Sequence, residues 1–293
     1  MLKTFSNCVR LGRPYYVLPV IATAAAGYLS GGTDVSFLKL AILCFAFALV
    51  GMSCWSANEI TDTQLDARGS TKYKWGLYVS GGTKVLSSGL VSVRAVAVCT
   101  GLLAVAGLAI ASALGTGCWC LCFLFLVVGM AYSIQPVRLK DRGILGLAAV
   151  AAAYGIIAFA AGWVAGGYEM SGGALMFAGI LSVAFFGFEG IPHLLDHEQD
   201  RINGERTIAV YLGCNRARYV LVLCQCLPPL TFLMVRLFAH TVLSQMNVAV
   251  LVPVLVASVL VAAATAARQE ESSLRVMRIL SVPLMSGFAF LLA

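Results

Sequence analysis

Nine stretches of about twenty mostly apolar residues dominate this chain, at about 14–32, 35–57, 89–112, 116–133, 144–166, 172–193, 217–239, 247–266 and 274–293. A helix needs roughly 20 such residues to cross the hydrocarbon of a bilayer. Only 11% of the residues are charged and mean hydropathy is +0.90, whereas soluble domains carry about 25% charge. The expectation is therefore an all-α, polytopic membrane protein with about nine transmembrane helices, forming one domain over residues 1–293. Met1 to Arg13 are mixed and basic, so no cleavable signal is expected there. Gly31-Gly32, Gly115 to Gly117 and Gly166-Gly167 mark boundaries, and Pro228-Pro229 should kink the seventh span.

The charges are few but sorted. With the N-terminus in the cytoplasm, 18 of the 20 Lys and Arg residues fall on that side, all but Lys39 and Arg236. This positive-inside bias predicts a cytoplasmic N-terminus and an outer C-terminus. It also accounts for the net charge of +7 without nucleic acid as a partner. Two long polar loops, about 58–88 and 194–216, lie on the cytoplasmic side, so the chemistry is expected there. The ten cysteines are scattered through the spans and read as small apolar fillers. The three histidines lack metal-ligand spacing; a structural role is favoured for His193 and His197, with proton transfer by His193 left open. No HExxH, Walker or GxSxG pattern is present.

Each polar loop carries spaced acids. Asn58, Asp62 and Asp66, in NEITDTQLD, are four apart and share one face of a helix continuing from the second span. Carboxylates so placed repel each other, and a hard divalent cation with oxygen ligands removes the conflict. Asp196 and Asp200, in LLDHEQDRINGERT, repeat the spacing. Glu189 lies seven residues before Asp196, on the same helical face and deeper in the membrane. Two such pairs suit two metal ions bridged by two phosphates. Arg68, Lys72, Lys84, Arg138, Lys140, Arg201 and Arg206 are interleaved and suit the phosphate oxygens that metal leaves free. Arg142, Arg268, Arg275 and Arg278 read as topology signals.

Together these residues resemble the UbiA superfamily of intramembrane prenyltransferases. NxxxDxxxD is matched by Asn58, Asp62 and Asp66, and DxxxD by Asp196 and Asp200 followed by GERTIAVYLG. YSIQPVRLKDRGILG, from Tyr132 to Gly146, looks like the family's central cytoplasmic loop, and Arg13-Pro14 also fits. SGGTKVLSSGLVS resembles the naphthoate-prenylating branch. The resemblance implies a bundle around a central cavity with a cytoplasmic cap. It implies Mg²⁺ held by Asp62, Asp66, Asp196 and Asp200 with help from Asn58. Prenyl diphosphate would be held by Lys84, Arg138, Lys140 and Arg206, with Arg13, Arg68 and Tyr132 in the substrate-binding set. Glu189 lies near an acid implicated in acceptor activation, or is a polar residue paired inside the bundle. Two departures stand out: Glu59 replaces a common Asp, and Pro136 stands where a Tyr-x-x-x-Lys element needs Lys.

The function implied is prenyl transfer to an aromatic, quinone-precursor-like or other lipophilic acceptor. A terpene cyclase would share the ionisation step but use no acceptor. A cation transporter is disfavoured because most acids sit at helix ends beside bases.

Overall fold

The computed structural model describes residues 7, 9–30, 35–68, 72–74, 77–80, 83–238, 248–266 and 271–289. Each of the nine expected spans is helical over most of its length: α1 Pro14–Leu29, α2 Phe37–Arg68, α3 Val93–Ser112, α4 Thr116–Ser133, α5 Ile144–Ala165 and α6 Gly172–Glu189. After the short helices α7 Ile191–Leu195, α8 His197–Asn203 and α9 Ile208–Leu212 come α10 Cys214–Phe238, α11 Val248–Ala266 and α12 Glu271–Ala289. Among the described residues five segments are long and apolar enough to cross a membrane: Phe37–Gln64, Val93–Ser112, Thr116–Ser133, Ile144–Ala165 and Gly172–Leu195. Pro14–Leu29 and Val256–Ala266 are shorter apolar helices. Large apolar side chains point outward, Phe37 being 82% exposed and Val105 67%. That outer surface is one that lipid solvates far better than water.

Local chemistry sets the helix ends. Ser92 and Ser171 cap α3 and α6, their hydroxyls accepting from the amides of Ala95 (3.2 Å) and Ala174 (3.1 Å). Pro14 starts α1 at a position where a missing N–H costs nothing. Pro228 and Pro229 lie within α10, which continues as helix through both.

Packing joins α1 to α5 at very short range. A Cβ on Gly162 would lie 1.8 Å from the Ala24 carbonyl oxygen, and one on Gly27 would lie 2.1 Å from that of Phe159. Only glycine lets the backbones touch, the small-residue packing that replaces hydrophobic drive between helices in lipid. On the other side of α5, the turn Ala153–Ile157 is π-helical and Gly155 lies against Ser182 of α6. The core then fills with rings: Phe47 meets Phe125 edge-on at 5.4 Å, and Tyr154 meets Phe185 edge-on at 5.7 Å. Such pairs add about 0.5–1.5 kcal/mol each beyond their buried area.

Residues 58–68 extend α2, as the spacing of Asn58, Asp62 and Asp66 predicts, and a short antiparallel hairpin, β1 Lys72–Lys74 with β2 Leu77–Ser80, follows within the first polar loop. The second loop is α7 to α9. The chain departs from a straight helix at Gly190, followed by Pro192, and again at Asp196. Glu189, Asp196 and Asp200 therefore do not share one face of a continuous helix, as the spacing suggested.

Candidate active site

The unbroken run of α2 carries Asn58, Asp62 and Asp66 past the bundle in a single helix, as expected. Asn58 lies at the wall of an interior cavity and accepts a hydrogen bond from the Ser133 hydroxyl at 3.0 Å. One turn on, Asp62 is buried and receives Nη2 of Arg138 at 3.2 Å, together with the Lys140 ammonium. Both bases come from the loop between α4 and α5. Glu205 approaches them from the other side, 3.1 Å from Lys140 and 3.6 Å from Arg138. Asp141 takes the Arg138 Nε at 2.6 Å. The central loop thus bridges α2 to the segment after α8, and the amide of Gly143 donates to the Arg206 carbonyl at 2.6 Å.

The second acid pair sits beside this knot. Asp200 is buried and accepts from the Thr207 hydroxyl at 2.9 Å. Burial, then the neighbouring carboxylates of Asp196 and Glu205, push its carboxyl up to about 8, against the opposing pull of Thr207 and Lys140. Gly204 turns the chain back at the end of α8 with φ 74°, a conformation that suits glycine, and brings Glu205 and Thr207 onto Asp200.

Three non-glycine residues among those described have positive φ: Arg13 (44°), Lys84 (58°) and Arg138 (35°). All three are basic and all three belong to the expected substrate-binding set. Such conformations cost about 1–3 kcal/mol each and persist where the surroundings enforce them. Glu59 is one enforcer. It is 2% exposed and accepts from Arg13 Nε at 3.1 Å, from the Thr83 hydroxyl at 2.7 Å and from the Thr83 amide. The guanidinium of Arg13 also lies 5.0 Å from the Trp55 ring centroid.

Other expected residues are placed as follows. Tyr132 lines the cavity, and Arg206 is exposed. Arg201 is exposed and pairs with Glu198 at 2.9 Å. The side chains of Asp66, Arg68 and Lys72 lie outside the described part. Glu189 lines the cavity and is paired inside the bundle, through two contacts of 2.9 Å with Arg278. This corrects the reading of Arg278 as a topology signal: it is 2% exposed, within the helix bundle. Its signal was available, because an arginine inside an apolar span is too costly to be idle. Glu205, Thr207 and Thr83 were also missed; only the acid and hydroxyl of GERT, close after the aspartate pair, hinted at them.

The cavity and its open mouth together span about 630 Å³. Residues of α1, α2, α4, α5 and α6 line it, including Trp55, Phe125, Tyr132 and Tyr154. An apolar chamber thus adjoins a cap crowded with carboxylates and bases. Among the described residues no three acid, His or Cys groups converge as a ready metal cage. The donors are nonetheless hard oxygens, and Asp196 and Asp200 already repel each other. That chemistry fits Mg²⁺.

Comparison with known proteins agrees with this architecture. The profile of the UbiA prenyltransferase family matches residues 18–282. The chain therefore belongs to the UbiA prenyltransferase family. Its fold is also that of a UbiA homologue from Archaeoglobus fulgidus bound to DMAPP and Mg²⁺, with a TM-score of 0.74 and 21% identity over 97% of this chain and 99% of that one. A UbiA homologue from Aeropyrum pernix K1 gives 0.69 and 21%, over 96% and 98%. The bacteriochlorophyll synthase 34 kDa chain of Chloroflexus aurantiacus is 29% identical over 189 residues, 64% of this chain and 57% of that protein's length.

Proposed function

We propose that this protein is a Mg²⁺-dependent enzyme that moves a prenyl group from a prenyl diphosphate to a lipophilic acceptor, aromatic and quinone-precursor-like in class, and releases diphosphate. The observation that carries this reading is the placement of Asn58 and Asp62 on successive turns of α2. One lines the apolar cavity and the other holds the bases of the cap, about 6 Å apart along the helix. A diphosphate in the cap would leave its prenyl tail in the cavity. The A. fulgidus relative, which holds DMAPP with Mg²⁺, supports the same assignment. The positive-inside bias of the sequence, with Arg278 set aside as the buried partner of Glu189, supports a cytoplasmic active site.

In this reading Asp62, Asp66, Asp196 and Asp200 would hold Mg²⁺, with Asn58 assisting, and the metal would supply Lewis acidity at the diphosphate oxygens. Arg138, Lys140, Lys84 and Arg206 balance the negative charge of the diphosphate. The C1–O bond breaks and its electron pair leaves with the diphosphate. The allylic cation forms beside the π faces of Trp55, Phe125, Tyr132 and Tyr154, which stabilise positive charge and keep water out. The acceptor then forms the bond to C1 and loses a proton.

Asp62→Asn and Asp196→Asn test the reading. Each should lower Mg²⁺-dependent turnover by about a hundredfold or more while the protein still folds. Near-normal turnover in both variants would refute the assignment.

A further inference from the structure

Among the described residues the interior cavity ends blind. Its lining descends α2 from Asn58 to Gly51 and α4 from Ser133 to Phe125. At about 1.5 Å of rise per residue, those rows run about 10 and 12 Å from the cap. One turn further on, Ala24 of α1, Phe47 of α2, Cys122 of α4 and Ala158 of α5 are fully buried and outside the lining. The seam between α1 and α12 is shut as well. There the Tyr15 hydroxyl donates to the Ile279 carbonyl at 2.9 Å, and Val282 and Met285 are buried.

Rings form the closed end. Phe47 meets Phe125 edge-on at 5.4 Å, Phe125 stacks on Tyr154 at 6.1 Å, and Tyr154 meets Phe185 edge-on at 5.7 Å. The plate crosses the bundle from α2 through α4 and α5 to α6. Phe47 and Phe185 lie outside the lining, so they back the two rings that face the chamber. Packing of this kind leaves no room for added methylenes without strain. An isoprene unit extends about 5 Å, being four zigzag C–C bonds of about 1.5 Å. A diphosphate level with Asp62 puts C1 near Asn58. Two units then fill the depth of the cavity, and a third meets the rings of Phe125 and Tyr154.

We propose that the ring plate of Phe47, Phe125, Tyr154 and Phe185 is the length stop of the donor site. The protein then takes prenyl diphosphates of one or two isoprene units, geranyl diphosphate best, and disfavours those of three or more. The proposal rests on the prenyl-transfer reading above and names the donor class within it.

The test measures Mg²⁺-dependent binding to the full-length protein by calorimetry. The probes are dimethylallyl, geranyl, farnesyl and geranylgeranyl diphosphates with sulfur in place of the bridging oxygen, so that they bind without ionising. Hydrophobic burial alone would tighten binding with every added unit. A closed end reverses that trend beyond two units, and geranyl should bind about tenfold or more tighter than farnesyl. Phe125→Ala removes the ring between Phe47 and Tyr154 and should bring farnesyl within about threefold of geranyl. Val20→Phe adds a ring at the deepest lining position of α1. It should shift the preference from geranyl towards dimethylallyl by about tenfold. A merely structural role for the rings would weaken all the donors alike. If Phe125→Ala does not fold, the opposite shift in Val20→Phe decides the matter. Farnesyl or geranylgeranyl binding the native protein as tightly as geranyl, or an order of preference unchanged in the variants, overturns the proposal and leaves the transfer reading intact. Failure of every donor to bind with Mg²⁺ would instead overturn the transfer reading, and the proposal with it.

Discussion

On the proposed assignment of Asp200 to the metal site, magnesium binding should be coupled to proton release. The Asp200 carboxyl, pushed up to about 8 by burial and by Asp196 and Glu205, is mostly protonated at neutral pH, whereas a metal requires the carboxylate. Binding should therefore release close to one proton below pH 8. Apparent Mg²⁺ affinity should rise about tenfold from pH 6 to pH 7, about fivefold from pH 7 to pH 8, and then level off. The metal-free protein should respond in the opposite direction. A folded pKa raised above the unfolded value contributes stability that is complete below about pH 4 and is lost as pH climbs towards 8. Calorimetric titration of Mg²⁺ in buffers of different ionisation enthalpy measures the affinity and the proton release together. Asp200→Asn should abolish the pH slope and bind more weakly at every pH. An affinity independent of pH between 6 and 8, with no proton released, would refute the reasoning.

Two further outcomes follow from packing and polar support. Gly162→Val should destabilise the fold by about 3 kcal/mol or more, because its new carbons meet the Ala24 carbonyl. Gly179→Ala, with nothing within 4 Å of the added Cβ, should be neutral or better by thermal unfolding in detergent. Glu59→Ala removes the buried acceptor shared by Arg13 and Thr83, so it should cost about 1–3 kcal/mol. It should also raise the KM for prenyl diphosphate through the displaced Lys84 turn, and Glu59→Asp should recover part of both.

The positions of the long helices were legible because lipid demands length and apolarity, and both can be counted along a chain. Which helix lies beside which was not. A helix that is apolar all round shows no stripe to point at a neighbour, and close approach is set by small residues such as Gly27 and Gly162, whose partners lie far away in sequence. The Asn58-Asp62-Asp66 row was legible because α2 runs straight through it. The relation of Glu189 to Asp196 was misread because α6 stops at Gly190 and the chain turns again at Asp196. Periodicity carries no information across a break. The Glu189–Arg278 pair joins residues 89 apart, and only the cost of an arginine in an apolar span pointed to it.

The central claim is that the cap ionises a prenyl diphosphate and the cavity delivers the cation to an acceptor. Mass analysis of products after incubating the purified protein with Mg²⁺, geranyl diphosphate and a panel of hydroxyarenes tests it most directly. The account predicts a product equal to acceptor plus prenyl group less one hydrogen, with one diphosphate released per product. Hydrocarbons or terpene alcohols formed equally well without any acceptor, or no release of diphosphate at all, would contradict it.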